Sequence, residues 1–562
     1  MRRQIRLRFH VLRFFGVNFV MIIALGVLIS SSQVEASPIT ANSTQPEQLT
    51  DKLEPPAECA TCHNEPYRDW SGTMMGNDFR DPSWLAALSI AEQDVPGIGD
   101  YCLRCHGAGW FEGKSEPPDG DSRGKSFAPP PKIDRESIPL CDFCHRVERV
   151  GERKSAYDDQ MIAEGNGAIF IRPDDPWKGA SHPLKEIHKK GEFCGSCHDV
   201  SNPLVKNADV PAMDHPLERT YTEWKYSFFG ENEITCQKCH PPMKFPGAQT
   251  WILYPGMASL YPDVDEGWVE AGFNVKADRS SAWKAARERN VAFMKRAADI
   301  KVEAEKTMEP GEETVIKVTV VNKSGHRLPT GFAEGRHMWI HLRVTDSEGM
   351  LVFEDGKLDD DGKIIETEQS KVYEQKAGVD GEKSFHFALV NSIIKDNRIP
   401  PFGFRKTAYE AEGAFIVGAD YQPGQNWDIT KYEFDIPGDA LGPFTVQANL
   451  KYETYSAEYM NWLVDTDKTL AANYGGEAPA TPDGARTWGE TTYRLWETEA
   501  KGRPLLMATA VASISYTSAT SMPQLMIEII VGVFILTLIV LSLKGKGRTP
   551  QSKESLSSFD DH

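Results

Sequence analysis

The residues of this chain whose types and spacing could do chemistry form one five-residue pattern, which occurs five times. Each copy has a cysteine, two other residues, a second cysteine and then a histidine. The copies are Cys59-Ala-Thr-Cys62-His63, Cys102-Leu-Arg-Cys105-His106, Cys141-Asp-Phe-Cys144-His145, Cys194-Gly-Ser-Cys197-His198 and Cys236-Gln-Lys-Cys239-His240. C-x-x-C-H is the attachment signature of c-type haem, in which both thiols bond covalently to the porphyrin and the histidine ligates the iron.

A count of cysteines argues against the other uses of a C-x-x-C pair. A thioredoxin-like redox pair or half of a zinc site could each contain one such pair. All 10 cysteines fall in these motifs, although only 14 of the 562 residues are histidine. A disulfide framework would not need those histidines. We therefore predict five covalently attached c-type haems. Their proximal iron ligands would be His63, His106, His145, His198 and His240.

The second axial position of each iron decides between electron transfer and catalysis. Three candidate distal ligands lie among the motifs, where the presence of five irons favours ligation: His182, His188 and His215. His326 is a fourth candidate, because it lies in a turn-rich loop, Ser324-Gly-His-Arg-Leu-Pro-Thr-Gly331, that could reach across to a haem.

Two methionines after the first motif allow two interpretations. Met74 and Met75 could be core residues, because methionine fills irregular gaps well. Either could instead ligate the first iron, and a thioether ligand would raise the potential of that haem relative to two histidines. Further along the chain, His337 and His341 would share one face of a strand, which is typical of a polar or interface surface, and His386 is predicted to be structural.

The two ends of the chain predict the compartment. Residues 1–36 combine five arginines, a short apolar run and a small-residue cleavage site, which is typical of a secretory signal peptide; an uncleaved anchor is the alternative. Residues 524–543 are almost wholly apolar apart from Glu528, and basic residues follow in the tail 544–562. This pattern predicts one transmembrane helix with a cytoplasmic tail. The large part between the ends would then lie in the bacterial periplasm, anchored to the inner membrane.

The remaining residues predict an α+β protein with several domains. A flexible leader (37–55) precedes a mainly irregular and helical pentahaem domain (56–280) and a bridging helix (281–298). Alternating apolar residues separated by turns, including 384–390, then predict an antiparallel β-sandwich over 299–455. Residues 456–522 would pack back on the body. The formal net charge of −19 suits partners with basic docking faces and does not indicate nucleic-acid binding.

The residues after the first motif also carry a resemblance. The stretch that begins at Cys59 and continues through Tyr67, Trp70, Ser71, Met75 and Asp81-Pro82 resembles the opening of multihaem cytochromes related to the tetrahaem electron acceptor of ammonia oxidation. Those proteins usually have a distal histidine where this chain has Met74-Met75, and a subgroup has two methionines. The second, third and fourth motifs resemble that subgroup, as do His215-Pro-Leu-Glu218 and the loop around His326. The resemblance covers roughly residues 56–455. It implies closely stacked haems that pass electrons from one to the next.

Three functions fit these observations. The leading hypothesis is a membrane-anchored periplasmic cytochrome that passes electrons between respiratory-chain partners. The alternative is a multihaem oxidoreductase that acts on a small nitrogen or sulfur compound at one open iron. Pentahaem nitrite reductases usually have a lysine in place of the histidine in the catalytic motif, whereas all five motifs here end in histidine. In the third hypothesis, the β-sandwich docks the protein into a larger respiratory complex.

Overall fold

The structure is a computed structural model. It describes residues 59–76, 81–95, 98–106, 141–150, 169–171, 186–240, 242–245, 248–251, 278–304, 307–468, 487–516 and 531–540. All of them belong to one compact unit, Thr40–His562. The predicted signal peptide (1–36), leader (37–55) and tail (544–562) lie outside the described residues, as does His182. Below, residues 59–240 are called the motif region and residues 298–516 the β region.

Short helices carry or adjoin the cysteine motifs, as expected where one turn must present several side chains together. The named helices are α1 Asn64–Ser71, α2 Pro82–Asp94, α3 Gly99–His106, α4 Cys141–Arg146, α5 Gly191–Gly195, α6 Thr220–Lys225, α7 Phe228–Glu231, α8 Cys236–Cys239, α9 Asp278–Met294, α10 Lys406–Ala411, α11 Ala457–Thr466 and α12 Trp488–Glu499. Helix α9 covers most of the predicted bridging helix and ends four residues earlier than predicted, before strand β7 begins at Ala298.

The strands form antiparallel sheets with one parallel pair. They are β1 Val147–Val150, β2 Ile169–Ile171, β3 Val200–Lys206, β4 Asp214–Glu218, β5 Pro242–Phe245, β6 Ala248–Trp251, β7 Ala298–Ala304, β8 Thr307–Met308, β9 Glu313–Asn322, β10 His337–Thr345, β11 Leu351–Asp355, β12 Val372–Tyr373, β13 Gln375–Val379, β14 Glu382–Lys383, β15 Ser392–Asp396, β16 Trp427–Asp435, β17 Phe444–Glu453 and β18 Leu505–Tyr516. The parallel pair is β8 with β18. Together the helices and sheets show the predicted α+β class.

Two sheets of the β region share one apolar core. The larger has the order β11-β10-β17-β18-β8, with β12 beside β10, and the smaller has the order β16-β9-β7. Alternate side chains in the middle of β9 and along β10 are buried and apolar, because alternate residues of a strand point to the same face. These side chains form one cluster with those of β17: Ile316, Val318, Val320, Met338, Ile340, Leu342, Val344, Val446, Ala448 and Leu450.

Residues 456–522, predicted to pack back on the body, contain helices α11 and α12 and strand β18. The two helices pack on helix α2 of the motif region. Helix α2 begins at an N-cap, where Asp81 Oδ1 accepts the backbone N–H of Ser83 at 2.9 Å. Leu85 and Leu88 of α2 share an apolar cluster with Leu463 of α11 and Trp488 of α12. Strand β18 then joins the larger sheet beside β17, so the sheet extends beyond residue 455.

Residues 384–390 form a turn rather than the predicted strand. The Ser384 hydroxyl accepts the backbone N–H of His386 at 3.1 Å, and the backbone N–H of Leu389 donates to His386 O at 2.9 Å. Phe385 packs on Tyr459 of α11 at a centroid distance of 5.3 Å. The alternation of apolar residues here therefore serves packing between elements.

Residues 531–540 of the predicted membrane span form a helix with exposed apolar side chains. Among the residues that the structure describes, none of the helices has both the length and the apolar character needed to cross a bilayer.

Candidate functional site

The five motifs share one helical turn: the second and third lie within α3 and α4, and a backbone hydrogen bond closes the turn in the other three. The backbone N–H of the motif histidine donates to the carbonyl of the first cysteine at 2.8 Å for His63, 3.0 Å for His198 and 2.8 Å for His240. Residues four apart in one helical turn lie on the same face. Each of these turns therefore presents its first thiol and its imidazole together, as the attachment of one porphyrin requires.

Thiols of different motifs contact one another. Hydrogen bonds join Cys59 to Cys141, Cys105 to Cys197 and Cys194 to Cys236. All ten cysteines are described, and none is in a disulfide bond. Burial raises the pKa of Cys144 to about 11. These contacts join the first motif to the third, and the second and fifth motifs to the fourth.

The ring of His326 reaches the ring of His240. Their centroids are 6.3 Å apart and their planes differ by 29°. Two imidazoles on opposite sides of one metal have centroids about 6 Å apart, given a metal–nitrogen distance of about 2 Å. The sequence makes His326 a candidate distal ligand without indicating which motif it would serve, and the structure brings it to the fifth.

Both rings of this pair have the character that iron ligation requires, because a histidine binds a metal in its neutral form. Burial, together with the nearby His326 and His198, lowers the pKa of His240 to about 3. Burial also lowers the pKa of His326. The Nδ1–H of His326 donates to the Arg327 carbonyl at 2.9 Å, so Nε2 is the nitrogen that could ligate a metal.

A buried ionic network holds the loop that carries His326. The guanidinium of Arg327, next in the chain, is fully buried and pairs with Asp396 of β15. The backbone N–H of Arg327 donates to Glu223 of α6 at 3.1 Å. Arg398 pairs with both carboxylates, at 3.1 Å from Glu223 and 2.7 Å from Asp396. The loop position therefore depends on charges from the motif region and from the β region.

His198 of the fourth motif has a carboxylate partner. Its Nδ1 donates to Glu218 Oε1 at 3.2 Å. Burial lowers the pKa of His198, but the hydrogen bond and the charge of Glu218 raise it more, to about 9. His198 thus has a carboxylate as its hydrogen-bond partner, whereas the rings of Phe293 and His326 lie beside His240.

Two of the other predicted distal histidines lie in the described motif region. His188 is buried, and its Nε2 donates to the Cys144 carbonyl of the third motif at 2.8 Å. His215 of β4 is buried, its Nδ1 is 3.1 Å from Asn207 Nδ2, and burial with the charge of Arg219 lowers its pKa to about 4. Distal ligation by either residue stays a prediction, as does ligation by His182.

The two methionines differ in their surroundings. Met74 is buried in the cluster of α2, α11 and α12, next to Leu85 and Leu88. Met75 is half-buried. The burial of Met74 agrees with its interpretation as a core residue. Ligation of an iron by the thioether of Met74 or Met75 stays a prediction.

In the second motif, His106 stacks on Trp84 at a centroid distance of 4.8 Å.

The histidines of the β region pair with carboxylates. The ring of His337 contacts Glu374 at 2.9 Å and Glu453 at 3.1 Å. His341 Nε2 donates to Glu354 at 3.0 Å, and His386 Nε2 donates to Asp94 at 2.9 Å. The polar partners of His337 and His341 agree with the predicted polar strand face.

Sequence reasoning missed the role of two carboxylates, Glu218 and Glu223. Glu218 stood in the quoted segment His215-Pro-Leu-Glu218, but its contact with His198 depends on the pairing of β3 with β4. Glu223 reaches Arg327 from a distance of 104 residues along the chain. No local pattern signals either contact.

Comparisons with known proteins leave the family open. No family model matches the chain. A search of curated proteins also finds no match. A solved structure of a penta-heme cytochrome c552 from Thermochromatium tepidum aligns with a TM-score of 0.46 and 16% identity, and covers 82% of this chain and 100% of that chain. A likeness of this size does not establish a shared fold.

Proposed function

We propose that this protein is a pentahaem c-type cytochrome that transfers electrons. Each C-x-x-C-H motif would hold one haem through its two thiols, with the motif histidine as proximal ligand. A c-type haem, when bound, supplies reversible one-electron chemistry at its iron. The donor set fits this group, because each motif combines two thiols and an imidazole and none of the ten cysteines is in a disulfide.

The single observation that carries the proposal is the pairing of His240 with His326. A second histidine ring, with its centroid 6.3 Å from that of His240, would supply a sixth ligand to a haem at the fifth motif. An iron with two histidine ligands has no open position for a substrate, so this pair favours electron transfer over catalysis at that motif. The contacts between thiols of different motifs support short distances from haem to haem.

The proposal also includes the cellular location of the protein and the kind of partner that it binds. Its sequence-based signal peptide and apolar C-terminal segment favour a periplasmic protein anchored in the bacterial inner membrane. The net charge of −19 favours redox partners with basic docking faces, including subunits of respiratory complexes.

Replacement of His326 tests the proposal. The wild-type chain should bind five haems, counted by pyridine haemochromogen absorbance against protein mass. In His326→Ala the fifth iron loses its sixth ligand, so we expect one new high-spin haem by electron paramagnetic resonance, and carbon monoxide binding to about one haem per chain. The matched control is His341→Ala, which removes a histidine that is paired with Glu354 in the same region.

Three results would contradict the proposal. An unchanged low-spin signal in His326→Ala would remove the ligand role of that residue. Fewer than five haems in the wild type would overturn the stoichiometry. A wild-type haem that is high-spin and turns over a small nitrogen or sulfur compound would favour the oxidoreductase.

A further inference from the structure

The fold itself brings Glu218 to the histidine of the fourth motif. Strand β3 begins at Val200, two residues after His198, and Glu218 is the register partner of Val200 in β4. Paired residues of two antiparallel strands lie about 5 Å apart. The hairpin therefore returns the carboxylate to His198, where Oε1 accepts the Nδ1–H at 3.2 Å.

Neighbouring groups fix this carboxylate in place. The Thr220 hydroxyl donates to the same Oε1 at 3.1 Å, and the backbone N–H of Tyr221 donates to the His198 carbonyl at 2.9 Å. The Glu218 side chain is 20% exposed.

The contact also selects the ligating nitrogen. With Nδ1 bound to Glu218, His198 offers Nε2 to an iron. A carboxylate that accepts the other ring N–H of a ligating histidine fixes the orientation of the ring and makes it a stronger donor. A stronger donor and a nearby negative charge both favour the more positively charged ferric state over the ferrous state.

We propose that Glu218 is a positioning residue that lowers the reduction potential of the haem at the fourth motif. This inference rests on the proposed function, since it requires a haem at Cys194, Cys197 and His198. The fifth motif provides the internal contrast, because the neighbours of His240 are the rings of Phe293 and His326. The fourth haem would accordingly hold its electron less tightly than the fifth.

A spectroscopic redox titration of the full haem-loaded chain tests the inference. In Glu218→Gln the charge is lost while the shape is kept. We expect one of the five midpoint potentials to rise by about 59 mV or more, which is a tenfold change in the one-electron equilibrium constant. Glu218→Asp keeps the charge but shortens the side chain, and it should give a smaller rise.

The matched control is Asp214→Asn, at the opposite end of the same strand, where the carboxylate pairs with Lys206. It removes the same charge without touching a motif histidine. The one-electron equilibrium constants of all five haems should therefore stay within a few-fold of the wild-type values.

If Glu218→Gln shifts no potential more than Asp214→Asn does, the inference is wrong, even with five haems bound. A wild-type chain without five haems would instead contradict the proposed function. A variant that binds fewer haems than the wild type would show a purely structural role for Glu218, and would overturn the inference too.

Discussion

Residues 186–240 of the motif region and the strands of the β region bury different kinds of side chain. In the β region, buried aliphatic side chains of β9 and β10 join residues of β17 in one core. In the motif region, the described stretch 186–240 buries mainly polar and charged groups. They include His188, Asp199, Asn202, His215, Arg219 and Glu223.

This difference indicates which region is stabilised by an apolar core of its own side chains. Burial of apolar surface is the main favourable term in folding, whereas a buried polar group costs free energy unless it is paired. The β region has the apolar core that it needs. We expect the motif region to depend on the covalent attachment of haem, because the binding of a metal group contributes directly to folding free energy.

The largest expected effect comes from removing the attachment sites. A chain in which all ten motif cysteines are serine should keep residues 307–453 resistant to protease. Cleavage within residues 186–240 should become about tenfold faster or more, equivalent to about 1.4 kcal/mol of local stability. Limited proteolysis with mass spectrometry measures both rates, with the haem-loaded wild type as reference. Equal protection of the two regions in the cysteine-free chain would show that the motif region does not depend on haem attachment more than the β region does.

The next effect concerns the ionic network between the two regions. Asp396→Asn leaves Arg327 and Arg398 buried with less compensating charge, so we expect a loss of roughly 3–5 kcal/mol of unfolding free energy. Chemical denaturation measures it. Asp420→Asn is the control, because the exposed pair of Asp420 with Lys406 should contribute under about 1 kcal/mol. Equal effects of the two substitutions would show that the network does not join the regions.

The smallest effect is a pH dependence confined to the β region. Burial lowers the pKa of His337, but hydrogen bonds to Glu374 and Glu453 and their charges raise it more, to about 9, above the ordinary 6.5. The protonated ring therefore stabilises the fold fully below pH 6.5, and this stabilisation is lost as the pH rises through about 9. Melting temperatures of the β region between pH 6 and pH 10 should fall more steeply in the wild type than in His337→Gln. Parallel curves would rule out the contribution of this group.

The sequence predicted what depends on local spacing. The five motifs occur on or beside short helices because one turn suffices to align a thiol with an imidazole. The Asp81-Pro82 helix start follows from capping, and strands β7, β9, β10, β16 and β17 follow from alternation. His326 was a candidate because its loop is rich in turns, and the structure brings it to His240.

Contacts between distant segments could not be predicted in this way. The segment around His386 alternates like a strand, yet it forms a turn because Phe385 packs on α11. The contact of Glu218 with His198 needs the register of a hairpin, and that of Glu223 with Arg327 needs two regions to dock. A single pattern of apolar and polar residues does not encode either arrangement.

One chain of hydroxyls has a consequence for engineering. Thr330, in the loop of His326, contacts the Thr220 hydroxyl at 2.8 Å, and Thr220 donates to Glu218, the partner of His198. The loop around His326 thus contacts Thr220, which supports Glu218 at the fourth motif. The same loop places His326 beside His240 of the fifth motif. The two regions therefore cannot be exchanged as independent modules. A motif region grafted onto another scaffold would lose the partner of His240 and one support of Glu218 in the same step.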